Sequence, residues 1–439
     1  MPCPCRNLRR ALPAGAWSLE SEAIPVKYAI LTFGCRTNQA DSFDLERDLR
    51  ARGGEQAPVD SADLVVVNTC AVTATAEQAA RQAIRRVGRL NPRARVLATG
   101  CYATRQPSDL ASLPVWRVVP NDNKTEALQL GRGDPCVAPT TDVRPMLRPG
   151  TRGRTLHLLR VQSGCNEACA YCIVPTTRGR SRSLPLDAVV GQVSEAASAG
   201  FKEVMITGVH LGSYGRDLDP PASLPDLVRV LSAHPADVRF RLSAIEPMDF
   251  GDDVIAALAC TGRFARHFHL PLQHASDRIL SAMARPYTLE RYAATVDRLA
   301  DQFPDAAIGA DLIVGFPGET ADDFDACTGY LAASSLAYVH VFPFSPRPGT
   351  RAAQLAGRPR GEEVQRRVQH LRSVGADQSR RFRERFVGTV REGLTIEDGS
   401  LVLTDNYLRV RIPAGRERNE RVRVRILEDG DPMKGEMPD

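Results

Sequence analysis

Six of the chain's eleven cysteines fall into two sets of three, and three suits few of the things thiols do. One set is compact: Cys165, Cys169 and Cys172 within "SGCNEACAYCIVP". A structural zinc site closes a tetrahedron with four ligands, and disulfides consume cysteines in pairs. In an iron–sulfur cube each iron takes one thiolate. Three cysteines would therefore hold three irons and leave the fourth open to a substrate or cosubstrate. A zinc knuckle is the competing reading, but His157 lies on a predicted strand and is poorly placed as a fourth ligand. The other set is dispersed: Cys35, Cys70 and Cys101, in "FGCRTNQADS", "NTCAVTATA" and "ATGCYATRQ". Each follows the carboxyl end of a predicted strand, and a parallel sheet gathers such ends along one edge. Small buried cysteines are common, yet three in register favour a second cluster. Cys3, Cys5, Cys136, Cys260 and Cys327 belong to neither set and receive no role.

The elements that would position these thiols are readable from the hydrophobic pattern. Strands are predicted at "KYAILTF" (27–33), "ADLVVVN" (62–68), "ARVLATG" (94–100) and "WRVVP" (116–120), with helices over "SFDLERDLRARG" and "ATAEQAARQAIRRVGRL". Such alternation implies an open parallel α/β sheet over residues 27–137. A Pro/Gly/Arg-rich connector follows at 138–154. Six further strands, near 155–162, 203–207, 238–244, 267–272, 307–314 and 337–343, make a partial (β/α)6 barrel within 155–378. The last segment, 379–430, has short alternating runs that predict a small β-barrel.

Composition sets the class. The chain has 439 residues, 43% hydrophobic and 25% charged, which is ordinary for globular domains. The net charge is +5, and only four of the 57 basic residues are lysine. No apolar signal core or membrane-length run is evident, and residues 1–26 read as a disordered extension. A cytoplasmic location is expected, where clustered cysteines more often bind metal than form disulfides.

The compact motif, with Tyr171 before its last cysteine and a strand "TLHLLRVQ" before it, resembles radical S-adenosylmethionine enzymes. Together with Cys35, Cys70 and Cys101 it resembles the methylthiotransferases of that superfamily over about residues 27–430. "TGVHLGSYG", "RLSAIEP", "HLPLQHASDRIL" and "GADLIVGFPGET" agree as well. His274, Ala275 and Ala284 depart, standing where serine, glycine and asparagine are usual.

The resemblance implies two [4Fe-4S] clusters: Cys165, Cys169 and Cys172 hold the one that cleaves S-adenosylmethionine, and Cys35, Cys70 and Cys101 hold the auxiliary one. It implies cofactor contacts from Tyr171, Gly208, Ser243, Gln273 and Gly309. It also implies a carboxyl-terminal TRAM-like RNA-binding barrel, with "TDNYLRVRI" matching its aromatic and basic positions. Arg178, Arg180, Arg409, Arg411 and Arg423 are the expected RNA contacts. His210, His267 and His269 read as packing or hydrogen-bonding residues rather than acids and bases. The implied partners are a tRNA anticodon loop, a flavodoxin- or ferredoxin-type electron donor and a sulfur source. The implied reaction is methylthio transfer to C2 of N6-threonylcarbamoyladenosine at position 37 of tRNA, using two S-adenosylmethionines. Isopentenyladenosine and an aspartate of ribosomal protein S12 are the alternative substrates. An iron–sulfur redox sensor or an RNA-binding metalloprotein are the non-enzymatic alternatives.

Overall fold

The computed structural model describes residues 26–124 and 147–438. Cys3, Cys5, Cys136, nearly all of the predicted extension and the first part of the connector lie outside the described residues.

Five strands, β1 (Lys27–Thr32), β2 (Glu55–Gln56), β3 (Leu64–Thr69), β4 (Arg95–Gly100) and β5 (Arg117–Val119), form an all-parallel sheet in the order β2-β1-β3-β4-β5. All six residues of β3, LVVVNT, are buried, the mark of a strand covered on both faces. The helices are α1 (Arg36–Ala51), α2 (Ala74–Leu90), α3 (Cys101–Arg105) and α4 (Pro107–Ala111). Thr73 starts α2 by accepting a bond from the Ala76 amide. Helix α1 begins six residues before the predicted stretch. Its first turns are polar and read as a loop, but Thr37, Asn38, Asp41 and Ser42 are all buried. Asn38 Nδ2 satisfies the carbonyls of Phe33 and Thr69, each at 2.8 Å.

The central region has two three-stranded parallel sheets. One contains β6 (His157–Arg160), β9 (Glu203–Thr207) and β10 (Arg239–Leu242); the other β11 (His267–His269), β12 (Ala307–Val314) and β13 (Tyr338–Pro343). A bridge between Phe240 and Phe264 links them, so six strands follow chain order around an open barrel wall. The short pair β7 (Gln162–Ser163) and β8 (Arg182–Ser183) brackets the compact cysteine loop. Ala40 and Phe43 of α1 join the barrel's apolar core beside Leu158, Val204 and Ile206. Among the described residues, no helix is long and apolar enough to cross a membrane.

The last five strands, β14 (Val390–Ile396), β15 (Leu401–Thr404), β16 (Arg409–Arg411), β17 (Arg421–Glu428) and β18 (Met433–Glu436), close a barrel in the order β14-β15-β16-β18-β17. The predicted limit at residue 430 would cut off β18, which pairs with both β16 and β17. In β17 the valines 422 and 424 and Ile426 turn inward and the arginines 421, 423 and 425 outward, as strand alternation requires.

Two side chains seal this barrel to the rest. Arg241 is fully buried, pairs with Glu203 at 2.7 Å and donates to the carbonyls of Thr404 and Asp405, each at 3.1 Å. Tyr407 stacks on His267 with ring centres 4.1 Å apart and accepts from Arg36 at 2.9 Å. The tyrosine of "TDNYLRVRI" therefore plugs the floor of the central barrel instead of facing RNA.

Replacing Arg241 with Met strips Glu203 of its partner and orphans two carbonyls. The expected cost is about 3–5 kcal/mol, read as a lowered thermal-unfolding midpoint. Adding Glu203→Leu should recover part of that loss.

Candidate active site between two sets of cysteines

Cys35 follows β1, Cys70 follows β3, and Cys101 opens α3 directly after β4. They share the sheet's carboxyl edge where the strand order reverses between β1 and β3, the usual ligand edge of such folds. Close approach depends on glycine. Gly34 has φ +90°, and a Cβ there would lie 2.4 Å from Cys70 Sγ. Gly100 has φ +103°, and its Cβ would meet the Thr69 carbonyl at 2.2 Å. Burial, with the neighbouring Cys35 and Cys101 adding to it, pushes the Cys70 thiol up to about 12. Asn121 Nδ2 lies 3.5 Å from Cys101 Sγ and donates to the Thr177 carbonyl at 2.7 Å.

The compact set lies on the loop between β7 and helix α5 (Val174–Arg178). Gly164, φ +73°, lets that loop press on the Arg180 carbonyl, which a Cβ would meet at 2.0 Å. The amides of Cys165, Ala170 and Cys172 are anchored to the carbonyls of Gly179, Met283 and Cys169. Burial pushes Cys172 up to about 12 and raises Cys169. Arg285 opposes this at Cys169, donating from Nη1 to Sγ at 3.2 Å while pairing with Glu246. His210 sits with Nδ1 3.7 Å from Cys165 Sγ and Nε2 2.5 Å from the Asp249 carboxylate. Burial alone would lower the His210 pKa, but Asp249 and Cys165 carry it up to about 10. It is a fixed hydrogen-bonding cation.

Members of both sets open onto one cavity of about 540 Å³, Cys35 and Cys70 on one side and Cys172, with Tyr171, on the other. Gln273, Asp311 and Phe342 complete it from the barrel. Three thiols at each position can serve as three ligands, and a metal-bound thiol is deprotonated outright. Arg178 and Arg285 would offset the anionic charge of clusters held there. The donor sets fit iron–sulfur clusters.

Other predicted residues divide. Tyr171 and Gln273 line the cavity, Gln273 at φ +67°. Ser243, just past β10, is buried, with its hydroxyl unpartnered among the described residues, as a cofactor contact would be. Gly208 follows β9, where a Cβ would meet Gln162 at 3.1 Å. Gly309 must be withdrawn from the cofactor set: its missing side chain makes room for the Tyr338 ring, which a Cβ would meet at 2.0 Å. Arg178 must be withdrawn from the RNA set, being 4% exposed and paired with Asp41 at 2.8 Å. Arg180, Arg409, Arg411 and Arg423 are exposed. Ala284, where asparagine was usual, has φ +57°; asparagine tolerates that conformation better than alanine.

Sequence reasoning missed Arg285, Asp249 and Arg347. Each acts through a partner distant in the chain, and Arg347, for instance, pairs with Glu77 at 3.0 Å. Phe342, 44% exposed at the cavity, carried a signal in being an apolar residue at a strand's end.

Asp249→Asn removes the main support for protonated His210. In the metal-free chain, the His210 resonance should move its titration from about pH 10 towards the ordinary imidazole range, as measured by histidine-labelled NMR.

The chain matches the radical SAM superfamily over residues 159–329 and an uncharacterised protein family, UPF0004, over residues 27–119. It is 34% identical to threonylcarbamoyladenosine tRNA methylthiotransferase MtaB of Thermotoga maritima, covering 83% of this chain and 85% of that one. The same-named protein of Aquifex aeolicus is 36% identical over 91% of this chain and all of its own. A tRNA-2-methylthio-N(6)-dimethylallyladenosine synthase of Syntrophomonas wolfei is 32% identical over 85% and 87%. In fold, the chain resembles the radical S-adenosylmethionine methyltransferase TsrM of Kitasatospora setae, with TM-score 0.52 and 16% identity over 75% and 77%. Cysteines of both sets on one cavity, and about a third of aligned residues identical to such relatives, lead to one assignment: the chain belongs to the radical S-adenosylmethionine tRNA methylthiotransferase family.

Proposed function

We propose that the chain transfers a methylthio group to C2 of N6-threonylcarbamoyladenosine at position 37 of tRNA. The cavity lined by Cys35, Cys70 and Cys172 supports this reading, because a radical-generating cluster and a sulfur-bearing cluster acting on one substrate need such a volume between them. Cys165, Cys169 and Cys172 would hold one cluster, and Cys35, Cys70 and Cys101 the auxiliary one. When bound, an open-iron cluster with S-adenosylmethionine supplies a carbon radical able to take hydrogen from an unactivated C–H bond.

The residues of the chain supply position and shelter. Arg285 holds Cys169 and Glu246 together on one wall. Ser243 and Gln273 offer polar contacts towards the cofactor. Phe342 presents an exposed ring on which an unstacked base can lie. Arg180, Arg409, Arg411 and Arg423 offer phosphate contacts outside the cavity. The electron is assigned to a flavodoxin- or ferredoxin-type donor, and cluster sulfur to a separate source.

Cys165→Ala, Cys169→Ala and Cys172→Ala should each abolish 5′-deoxyadenosine formation. Cys35→Ala, Cys70→Ala and Gly34→Ala should instead halve the iron content and stop methylthio product while cofactor cleavage continues. Anaerobic iron analysis with mass spectrometry of tRNA nucleosides reads both. Full product from the second group would refute the auxiliary-cluster role, and a mass shift on isopentenyladenosine alone would move the substrate. Phe342→Ala should weaken productive tRNA binding by about 1–3 kcal/mol, the worth of one base–aromatic stack, seen in KM more than in cofactor cleavage without tRNA.

A further inference from the structure

We propose that His269, Asp311 and His340 form a mononuclear divalent-cation site inside the central barrel, separate from both cysteine sets. The three residues come from adjacent parallel strands β11, β12 and β13, where His269 is level with Gly309 and Asp311 level with His340. One carboxylate oxygen organises them: Asp311 Oδ1 is 3.1 Å from His269 Nε2 and 3.2 Å from His340 Nδ1. Ligands bound to one zinc-like ion at about 2.0–2.2 Å lie about 3.0–3.4 Å from one another by simple geometry. The donor atoms of all three residues lie within 4.8 Å of each other.

The surroundings are those of a ligand set. Tyr338 OH holds His269 Nδ1 at 3.0 Å and is itself held by His267 Nε2 at 2.7 Å. That bond turns His269 Nε2 towards Asp311, as outer-shell partners do for metal-binding imidazoles. Asp311 is largely buried, at 27% exposure, yet among the described residues no arginine or lysine pairs with it. Its charge is met only by imidazoles, whereas the buried Asp41 has three cationic side chains. Asp311 also lines the shared cavity, and His340 is 55% exposed, so coordination positions remain open to an incoming oxygen donor. Two imidazoles and one carboxylate suit Fe²⁺, Zn²⁺ or Mn²⁺ over Mg²⁺ or Ca²⁺.

The test uses reconstituted enzyme with its clusters oxidised, where four-iron cubes are silent in electron paramagnetic resonance and added Mn²⁺ can be counted. Wild type should bind one Mn²⁺ per chain. His340→Ala and Asp311→Asn should each lose it, with iron content unchanged as the check that fold and clusters persist. Elemental analysis after Zn²⁺ loading and dialysis should give the same one-equivalent difference. No bound Mn²⁺ or Zn²⁺ in wild type, or equal binding in both variants, would overturn the site and leave an internal hydrogen-bond network. The measurement contains no tRNA, so its failure leaves the methylthio reading standing, and failure of that reading leaves the site standing.

Discussion

A single buried carboxylate decides how the amino-terminal sheet meets the barrel. Asp41 on α1 pairs with Lys124 at 2.6 Å, Arg178 at 2.8 Å and Arg160 at 2.8 Å. Burial alone would raise its pKa, but these cations pull it well below the usual carboxylate range. Breaking a buried pair from one side leaves a charge without solvent or partner, at a cost of about 3–5 kcal/mol. The partners come from three places: Lys124 from beyond β5, Arg160 from β6, and Arg178 from the helix after the compact cysteines. Any shift of the sheet against the barrel would strand at least one of these charges, so the two thiol sets are held in register across their cavity.

Arg178 links that clasp to the chemistry. The charges of Asp41, Cys101 and Cys35 all favour its protonated form, so a permanent cation sits beside the sheet-edge thiols. Arg285 plays the matching part at Cys169. Each guanidinium is held by a carboxylate, Arg178 by Asp41 and Arg285 by Glu246, and Arg285 also donates to the Cys169 thiol.

Much of this was legible in the chain. Strand–helix alternation located β1, β3, β4 and β5 and all six barrel strands within a few residues, because buried apolar runs between turn signals have few alternative readings. The cysteine sets were legible for the same reason, since their position past strand ends is a topological property. What stayed hidden was pairing across distance. The start of α1 looked like a loop because its buried polar residues find partners in the Phe33 and Thr69 carbonyls, Lys124, Arg160 and Arg178. Arg178 and Gly309 were misassigned on the same grounds. A residue type names what a side chain could do, but its neighbours decide whether it is free to do it. Tyr407 is the clearest case, an aromatic in a stretch expected to bind RNA that is used to seal a barrel floor.

That seal has a consequence for substrate size. Tyr407 meets His267 and Tyr338, the first residues of β11 and β13, so the carboxyl-terminal barrel docks where the barrel strands begin. The thiols and the cavity lie where they end. The six residues of β13 span roughly 20 Å at about 3.3 Å each. An RNA held as proposed by Arg409, Arg411 and Arg423 would have to reach past the strand length before one of its bases could enter the cavity. A free nucleoside or short oligomer cannot engage both ends at once. A folded stem with an exposed loop could, and binding energy gathered on the outer barrel would then be available to unstack a base at Phe342. With the RNA contacts proposed above, the separation of the two ends would make the enzyme select for shape before its cavity reads the base.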